Sequence, residues 1–412
     1  MKRIYKVLVF VVILIIGYYI YYFIKEKTTD YGHKVVLCIP VYGQSLALGE
    51  EAIRITDFKK LRNDYDGRIL TENLDYDFGF FEYNPWKKFL KKIIHYQKRS
   101  FELSVYGMAE SLVSQLGKDT VLCVFPGGQG TTLIKELSRG TEPYSNFLSD
   151  IQAAYKKSKE RGWDFCVPAI CWMQGESDIA EYPGTNYKTL LKQFSTDIIQ
   201  DIKEITHQKV PVRIICYQSN ALTRAYKFDA NHHDCPEMEV PQAQMELIRD
   251  DSLFIASGPT YPYSFVREAI HIDGQSQKLL GSLEAEAALR VIRKQSPHLG
   301  LIPLSTSVTG NDVVIRFNVP DPPLMLDTIR VTKTSNYGFS VINEQGQNLI
   351  TSLSVNDSLV IIHCSQPPSN CQVRYAVNGE SMKSGNKRGP RGNLKDSQDH
   401  WCYQFYTDMS LP

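Results

Sequence analysis

Three short segments hold the side chains most suited to chemistry: GQS at Gly43 to Ser45, WMQGESD at Trp172 to Asp178, and EAIH at Glu268 to His271. A serine hydroxyl becomes a competent nucleophile only when a nearby base takes its proton, and that base needs a third group to fix its tautomer. Ser45, His271 and Glu268 supply one of each. Glu268 stands three residues before His271, so the two side chains can meet across one turn, the carboxylate on one imidazole nitrogen and Ser45 on the other. Asp273, two residues beyond the histidine, is a second carboxylate for that role. Gln174 can donate an amide hydrogen bond to a developing oxyanion. Gln44, Glu176 and Asp178 can bind substrate hydroxyls or orient loops. The chemistry such a set performs is acyl transfer through serine. Ser45 could equally cap a helix, and the WMQGESD carboxylates could form a buried structural network.

The elements that must position these residues follow from the apolar pattern. VVLCIPV, VLCVFPG, FCVPAICWMQ and VRIICYQ are short runs rich in branched residues, and each reads as a strand buried on both faces. Between and after them, residues 102–116, 144–161, 186–205 and 275–294 repeat apolar residues at helical spacing. Strands alternating with helices imply a parallel sheet covered by helices. In such a sheet ligands bind at the carboxyl ends of the strands, where Ser45, the glycines of VFPGGQGTTL and the polar end of CWMQGESD all fall. Gly127, Gly128 and Gly130 would expose backbone N–H groups at that edge. From about Pro303 the pattern changes to short alternating strands, DVVIRFNV, TIRVTK, GFSVIN, SLVIIHC and CQVRYAV, as in a β-sandwich, and residues 383–398 read as a loop.

The 412 residues exceed one ordinary domain, and we expect an anchor over 1–27, an α/β domain over 33–296 and a β-rich domain over 303–412. With 46 basic and 45 acidic residues spread along the chain, the net charge of +1 gives no reason to expect a nucleic-acid partner. Lysines 87, 88, 91 and 92 read as a solvated helix face. Residues 7–24 run without a charge between basic flanks and end in aromatics, which predicts a membrane-spanning signal anchor with the body outside the cytoplasm, or a cleaved signal. No oligomeric state follows. Of nine cysteines, Cys364 and Cys371 flank a Pro-Pro-Ser-Asn turn and are the expected disulfide. NHHDC, with His232, His233 and Cys235, is the densest metal-like group, yet it reads better as a polar loop.

GQS after the first strand, Pro126 to Thr132 with the pattern P-x-x-x-G-x-T, W-x-Q-G-E-S-D, and an acidic residue three before a histidine together resemble the sialate O-acetylesterase and carbohydrate esterase family 6 branch of the SGNH hydrolases. The likeness spans about Val35 to Arg293, and WMQGESD is its most specific part. It implies a three-layer α/β fold, an acetylated carbohydrate as substrate and no metal or organic cofactor. It also implies Ser45 as nucleophile, His271 as base, Glu268 as acid, and an oxyanion hole of Gly130, Gln174 and the Ser45 N–H, with Gly128 as the alternative glycine. Leu46 stands where the family usually has asparagine, and Glu268 where it usually has aspartate. VRYAVNG and RGNLKDS loosely resemble the β-rich end of longer members.

Overall fold

The computed structural model describes residues 9–18, 21, 32–57, 60–61, 68–72, 78–80, 101–181, 186–224, 238–296 and 299–409. Its central sheet uses β1 (Val35–Cys38), β2 (Val41–Gly43), β3 (Ile69–Glu72), β4 (Phe78–Phe80), β5 (Thr120–Cys123), β6 (Pro126–Gly128), β7 (Asp164–Cys166), β8 (Ala169–Met173), β9 (Arg213–Gln218) and β10 (Phe254–Pro259). Pro40, Pro126 and Pro168 have no N–H to give the ladder, and they divide three long strands into the pairs β1/β2, β5/β6 and β7/β8. Bonds such as Val41 N to Phe125 O (2.9 Å) and Cys171 N to Pro40 O (2.9 Å) carry the pairing across the breaks. The two halves therefore form one surface in the order β4, β3, β5/β6, β1/β2, β7/β8, β9, β10, parallel except for β4. The first strand in the chain lies between the next two long ones, so the strand order reverses at β2.

Helices cover both faces, as the apolar spacing requires. On one lie α1 (Ser104–Val113) and, at the end of the domain, α6 (Gly274–Ile292), with Met108, Leu112, Leu280 and Ala288 in their shared core. On the other lie α2 (Glu142–Glu160), α4 (Tyr187–Thr206) and α5 (Glu239–Asp250), burying Phe147, Phe194 and Leu247, while the short α3 (Glu176–Ala180) follows β8. The helices read from the sequence appear within a few residues of their expected ends. Additional elements include β3, β4 and α3, together with α5, whose pattern is broken by Pro241, and β10, whose FIASGP is short and carries two small residues and a glycine.

The C-terminal region is β-rich. A four-stranded sheet (Ile302–Thr309, Asp312–Asn318, Leu359–Cys364, Ile350–Asn356) faces a three-stranded one (Phe339–Ile342, Cys371–Tyr375, Phe405–Met409), with Phe317 edge-on to Phe405 at 6.1 Å between them. The TIRVTK run forms turns rather than a strand. Its core is continuous with that of the α/β domain: Tyr261 packs on Trp401 (6.2 Å), and Gln218 and Gln404 exchange two buried hydrogen bonds of 2.8 and 2.7 Å. Cys364 and Cys371 are free thiols, so the expected disulfide is absent. Residues 9–18 are helical with exposed apolar side chains, but among the described residues no helix is long and apolar enough to cross a membrane, and the expected anchor over 1–27 is not supported. The NHHDC group and lysines 87 to 92 lie outside the described residues.

Candidate active site

The strand order reverses at β2, and such a point leaves a crevice at the carboxyl ends of the strands. Here Gly43 is in register with Gly128 on one side and Met173 on the other. A side chain at Gly43 would strike the Met173 carbonyl, and one at Gly128 (φ 118°) the Gly43 carbonyl, so glycine is needed for three strand ends to converge. Gln44 N donates to Met173 O (3.0 Å), and Gln129 N to Gly43 O (3.1 Å). Ser45 and Gly130 therefore leave adjacent strands side by side. Among the described residues, the backbone N–H groups of both have no protein acceptor. Ser45 is 4% exposed.

His271 arrives on the loop between β10 and α6. Val266 N donates to His271 O (2.7 Å), Asp273 N to Ser264 O (2.9 Å), and Asp273 caps α6 through Ser276 N (2.8 Å), which commits that carboxylate to the helix. The imidazole Nδ1 lies 2.8 Å from Glu51 Oε2. A carboxylate only accepts, so Nδ1 donates to Glu51, and in the neutral imidazole Nε2 is the acceptor. Nε2 faces Glu50 Oε2 at 3.9 Å, and Glu50 N donates to Ser45 O (3.0 Å), which closes the turn from the serine back to the histidine. Glu50 Oε1 also reaches within 2.7 Å of where a Gly130 side chain would begin. Glu50 thus links the serine turn, the histidine and Gly130.

The carboxylate on the histidine is Glu51, not Glu268. The Glu268 carboxylate turns away, to Arg388 Nε (2.8 Å) and Lys383 Nζ (3.9 Å). The spacing argument assumed a regular turn, whereas Arg267 and Glu268 both have left-handed backbone (φ 55° and 54°) and Ala269 is non-helical, which rotates the Glu268 side chain off the histidine face. Glu51 is also left-handed at φ 61°, and the segment after it is held by buried Glu102, whose N donates to Ala52 O (2.8 Å) and whose carboxylate accepts from Ile55 N (2.7 Å) and Thr56 N (2.8 Å). Arg267 pairs with the other Glu51 oxygen. The hydrogen bond from His271, helped by Arg267 and opposed by slight burial, holds the Glu51 carboxyl below its usual range.

The WMQGESD residues support the site rather than face it. Gln174 is fully buried and its amide N–H groups go to Thr132 O (3.1 Å) and Asp178 Oδ2 (2.5 Å), so it has no donor left for an oxyanion. Glu176 accepts from Tyr217 (2.6 Å) and Ser219 (2.8 Å), and burial pushes its carboxyl up. Asp178 also accepts from Ile134 N (2.9 Å), and burial raises it to about 6. These carboxylates pin the loops after β6 and β9 to the end of β8. Gln44 is buried, and among the described residues its Oε1 has no partner. Leu46 is also buried, and its carbonyl accepts from Gln277 on α6 (2.8 Å). Glu51 has no spacing signal toward His271, from which it lies 220 residues away. The acidic pair Glu50 and Glu51, five and six residues after the serine, was the one local signal.

Among the described residues, Asp321, Asp396 and His400 could together hold a cation, but they lie in the C-terminal region, where Asp396 accepts from Asp321 N (2.9 Å) and His400 Nδ1 (2.8 Å).

Residues 104–290 match the family model described as carbohydrate esterase, sialic acid-specific acetylesterase. The catalytic region is that of a carboxylic-ester hydrolase. Among solved structures, a carbohydrate acetylesterase from Xanthomonas citri is similar over 90% of this chain and 80% of its own, at 13% identity and a TM-score of 0.60. NanS (15% identity, TM-score 0.43) covers 65% of this chain and 99% of its own. An Arabidopsis thaliana protein (18%, 0.42) covers 61% and 97%. The first of these shares the fold across both regions of the esterase. No curated protein matches the chain.

Proposed function

We propose that this esterase removes acetyl groups from sugar hydroxyls through an acetyl-serine intermediate, with Ser45 as nucleophile, His271 as general base and Glu51 as the carboxylate that orients the histidine. The observation that carries the reading is His271 itself, Nδ1 on the Glu51 carboxylate at 2.8 Å and Nε2 turned to the Ser45–Glu50 turn. Ser45 Oγ attacks the acetyl carbonyl while Nε2 takes its proton, and the carbonyl oxygen becomes an oxyanion. The free N–H groups of Ser45 and Gly130 suit that oxygen. The imidazolium returns the proton to the departing sugar oxygen, and water, deprotonated by the same nitrogen, releases acetate and restores Ser45. Glu51 gains its value as the imidazolium forms. The family description of residues 104–290 supports an acetylated carbohydrate as substrate.

The test is Ser45→Ala together with a serine-directed phosphonate. Wild type should be inactivated with the label on Ser45, and the variant should neither react nor hydrolyse 4-nitrophenyl acetate. An unlabelled, inactive wild type would instead fit a carbohydrate-binding protein on the same fold, and an active Ser45→Ala enzyme would remove Ser45 from the mechanism.

A further inference from the structure

The loop that presents His271 is not held by its own domain alone. Residues 380–390 of the C-terminal region close over it. Ser384 N donates to Glu268 O (3.0 Å) and Asn386 N to Tyr263 O (3.2 Å). Gly385 (φ 86°) lies so near Tyr263 O and the Phe265 ring that a side chain there would begin 2.8 and 2.6 Å from them. The same segment grips the loop after β9: Thr223 Oγ1 donates to Lys383 O (2.6 Å) and Asn220 Nδ2 to Pro390 O (2.9 Å). At the centre is the Glu268 carboxylate, which accepts from Arg388 Nε (2.8 Å) and Nη2 with Lys383 Nζ at 3.9 Å. Arg388 holds that carboxyl below its usual range, so the pair is ionic at neutral pH.

What the ion pair restrains is a strained piece of backbone. Arg267 and Glu268 are consecutive non-glycine residues in the left-handed region, a conformation that persists only where surroundings enforce it. They are tied on opposite sides: Arg267 to Glu51, beneath the histidine, and Glu268 to Arg388, from the C-terminal region. Both ties act on the turn that precedes His271 by three residues.

We propose that Arg388 is a positioning residue for His271, acting through Glu268, and that the C-terminal β-rich region is thereby a working part of the esterase. The proposal rests on the reading of His271 as the base. It assigns the carboxylate three residues before the histidine a role other than orienting the ring: it is the handle by which the second region holds the catalytic loop.

The experiment uses the full chain, with kcat and KM on 4-nitrophenyl acetate, the rate of phosphonate labelling and Tm measured for each variant. Arg388→Ala should lower kcat about tenfold, as expected for a small displacement of a catalytic group, slow labelling by a similar factor, and leave KM within about twofold. Arg388→Lys, which can still reach the carboxylate, should recover to within about threefold of wild type. The double variant Arg388→Ala, Glu268→Ala should be no worse than its poorer single parent. If Arg388→Ala does not accumulate as folded protein, Glu268→Ala cuts the same tie from the other side and carries the same expectation. A wild-type kcat and labelling rate in the variant, or a kcat that falls only with the folded fraction, overturns the proposal. Ser45→Ala run alongside keeps the two readings apart: if it stays active the serine mechanism fails, whereas an inactive Ser45→Ala beside a fully active Arg388→Ala defeats the positioning role alone.

Discussion

Changing Glu51 to glutamine would separate the geometry from the spacing most directly. The amide keeps the length of the side chain and an oxygen for the Nδ1–H of His271, but it removes the charge that faces the imidazolium in the transition state. The contact is 2.8 Å, so the charge centres are about 4 Å apart, and unit charges at that distance attract by roughly 2–4 kcal/mol at an effective dielectric constant of about 40 to 20. Glu51 is 37% exposed and shares its carboxylate with Arg267, while the histidine side chain is 14% exposed, so the lower end applies. A loss of about 2 kcal/mol of transition-state stabilisation is roughly 30-fold in kcat. Fully buried triad acids are worth more, about 10⁴-fold. Steady-state kinetics on 4-nitrophenyl acetate should show that decrease in kcat with KM changed less than about twofold, because the charge interaction is absent in the ground state. Glu268→Gln keeps an acceptor for Arg388 and should lose several-fold less. If Glu268→Gln costs more than Glu51→Gln, the acid is Glu268 after all. If both retain wild-type kcat, no carboxylate assists His271.

Other expectations concern stability. Glu284 on α6 is fully buried, and burial, opposed by a hydrogen bond from Ser104, raises it from 4.5 to about 8. Below pH 4.5 it is neutral folded or unfolded; between there and about 8 only the unfolded chain sheds the proton, so stability should fall as pH rises, by on the order of 5 kcal/mol in all. Glu284→Gln should flatten the plot of Tm against pH across that interval, and an unchanged slope would show that Glu284 does not titrate there. His400, against Asp396 (2.8 Å) and Glu286 (3.4 Å), is raised to about 10 despite its burial, so its contribution is present below 6.5 and lost as pH climbs through 10; His400→Gln should remove the alkaline part of the same decline. Gly107 and Gly281 set how closely α1 and α6 approach, each with no room for a side chain against the other helix's backbone, so Gly281→Val should cost at least 2–3 kcal/mol in urea unfolding. A wild-type midpoint would mean the helices can part freely. Alkylation of unreduced, denatured protein should modify both Cys364 and Cys371, and protection of the pair would show a bridge.

The sequence by itself determined the layers and the edge. Strands buried on both faces must be branched and apolar throughout, and helices between them must show one apolar stripe, so VVLCIPV, FCVPAICWMQ and the helical segments declared a parallel sheet covered by helices, with Ser45 and Gly130 at its carboxyl edge. WMQGESD was legible as important for the same reason, since polar residues at the end of so buried a strand must be satisfied somehow. How they are satisfied was not legible: Gln174, Glu176 and Asp178 bond to Thr132, Tyr217, Ser219 and Ile134, partners 41 to 44 residues away, with Tyr187 closer in the chain. The identity of the acid also belonged to the tertiary structure. Spacing describes a side chain's direction only while the backbone is regular, and the left-handed pair Arg267 and Glu268 breaks that condition, sending Glu268 to Arg388, 120 residues on, and leaving His271 to Glu51. Local patterns fix which elements form; which carboxylate meets the histidine depends on loops brought together from distant parts of the chain.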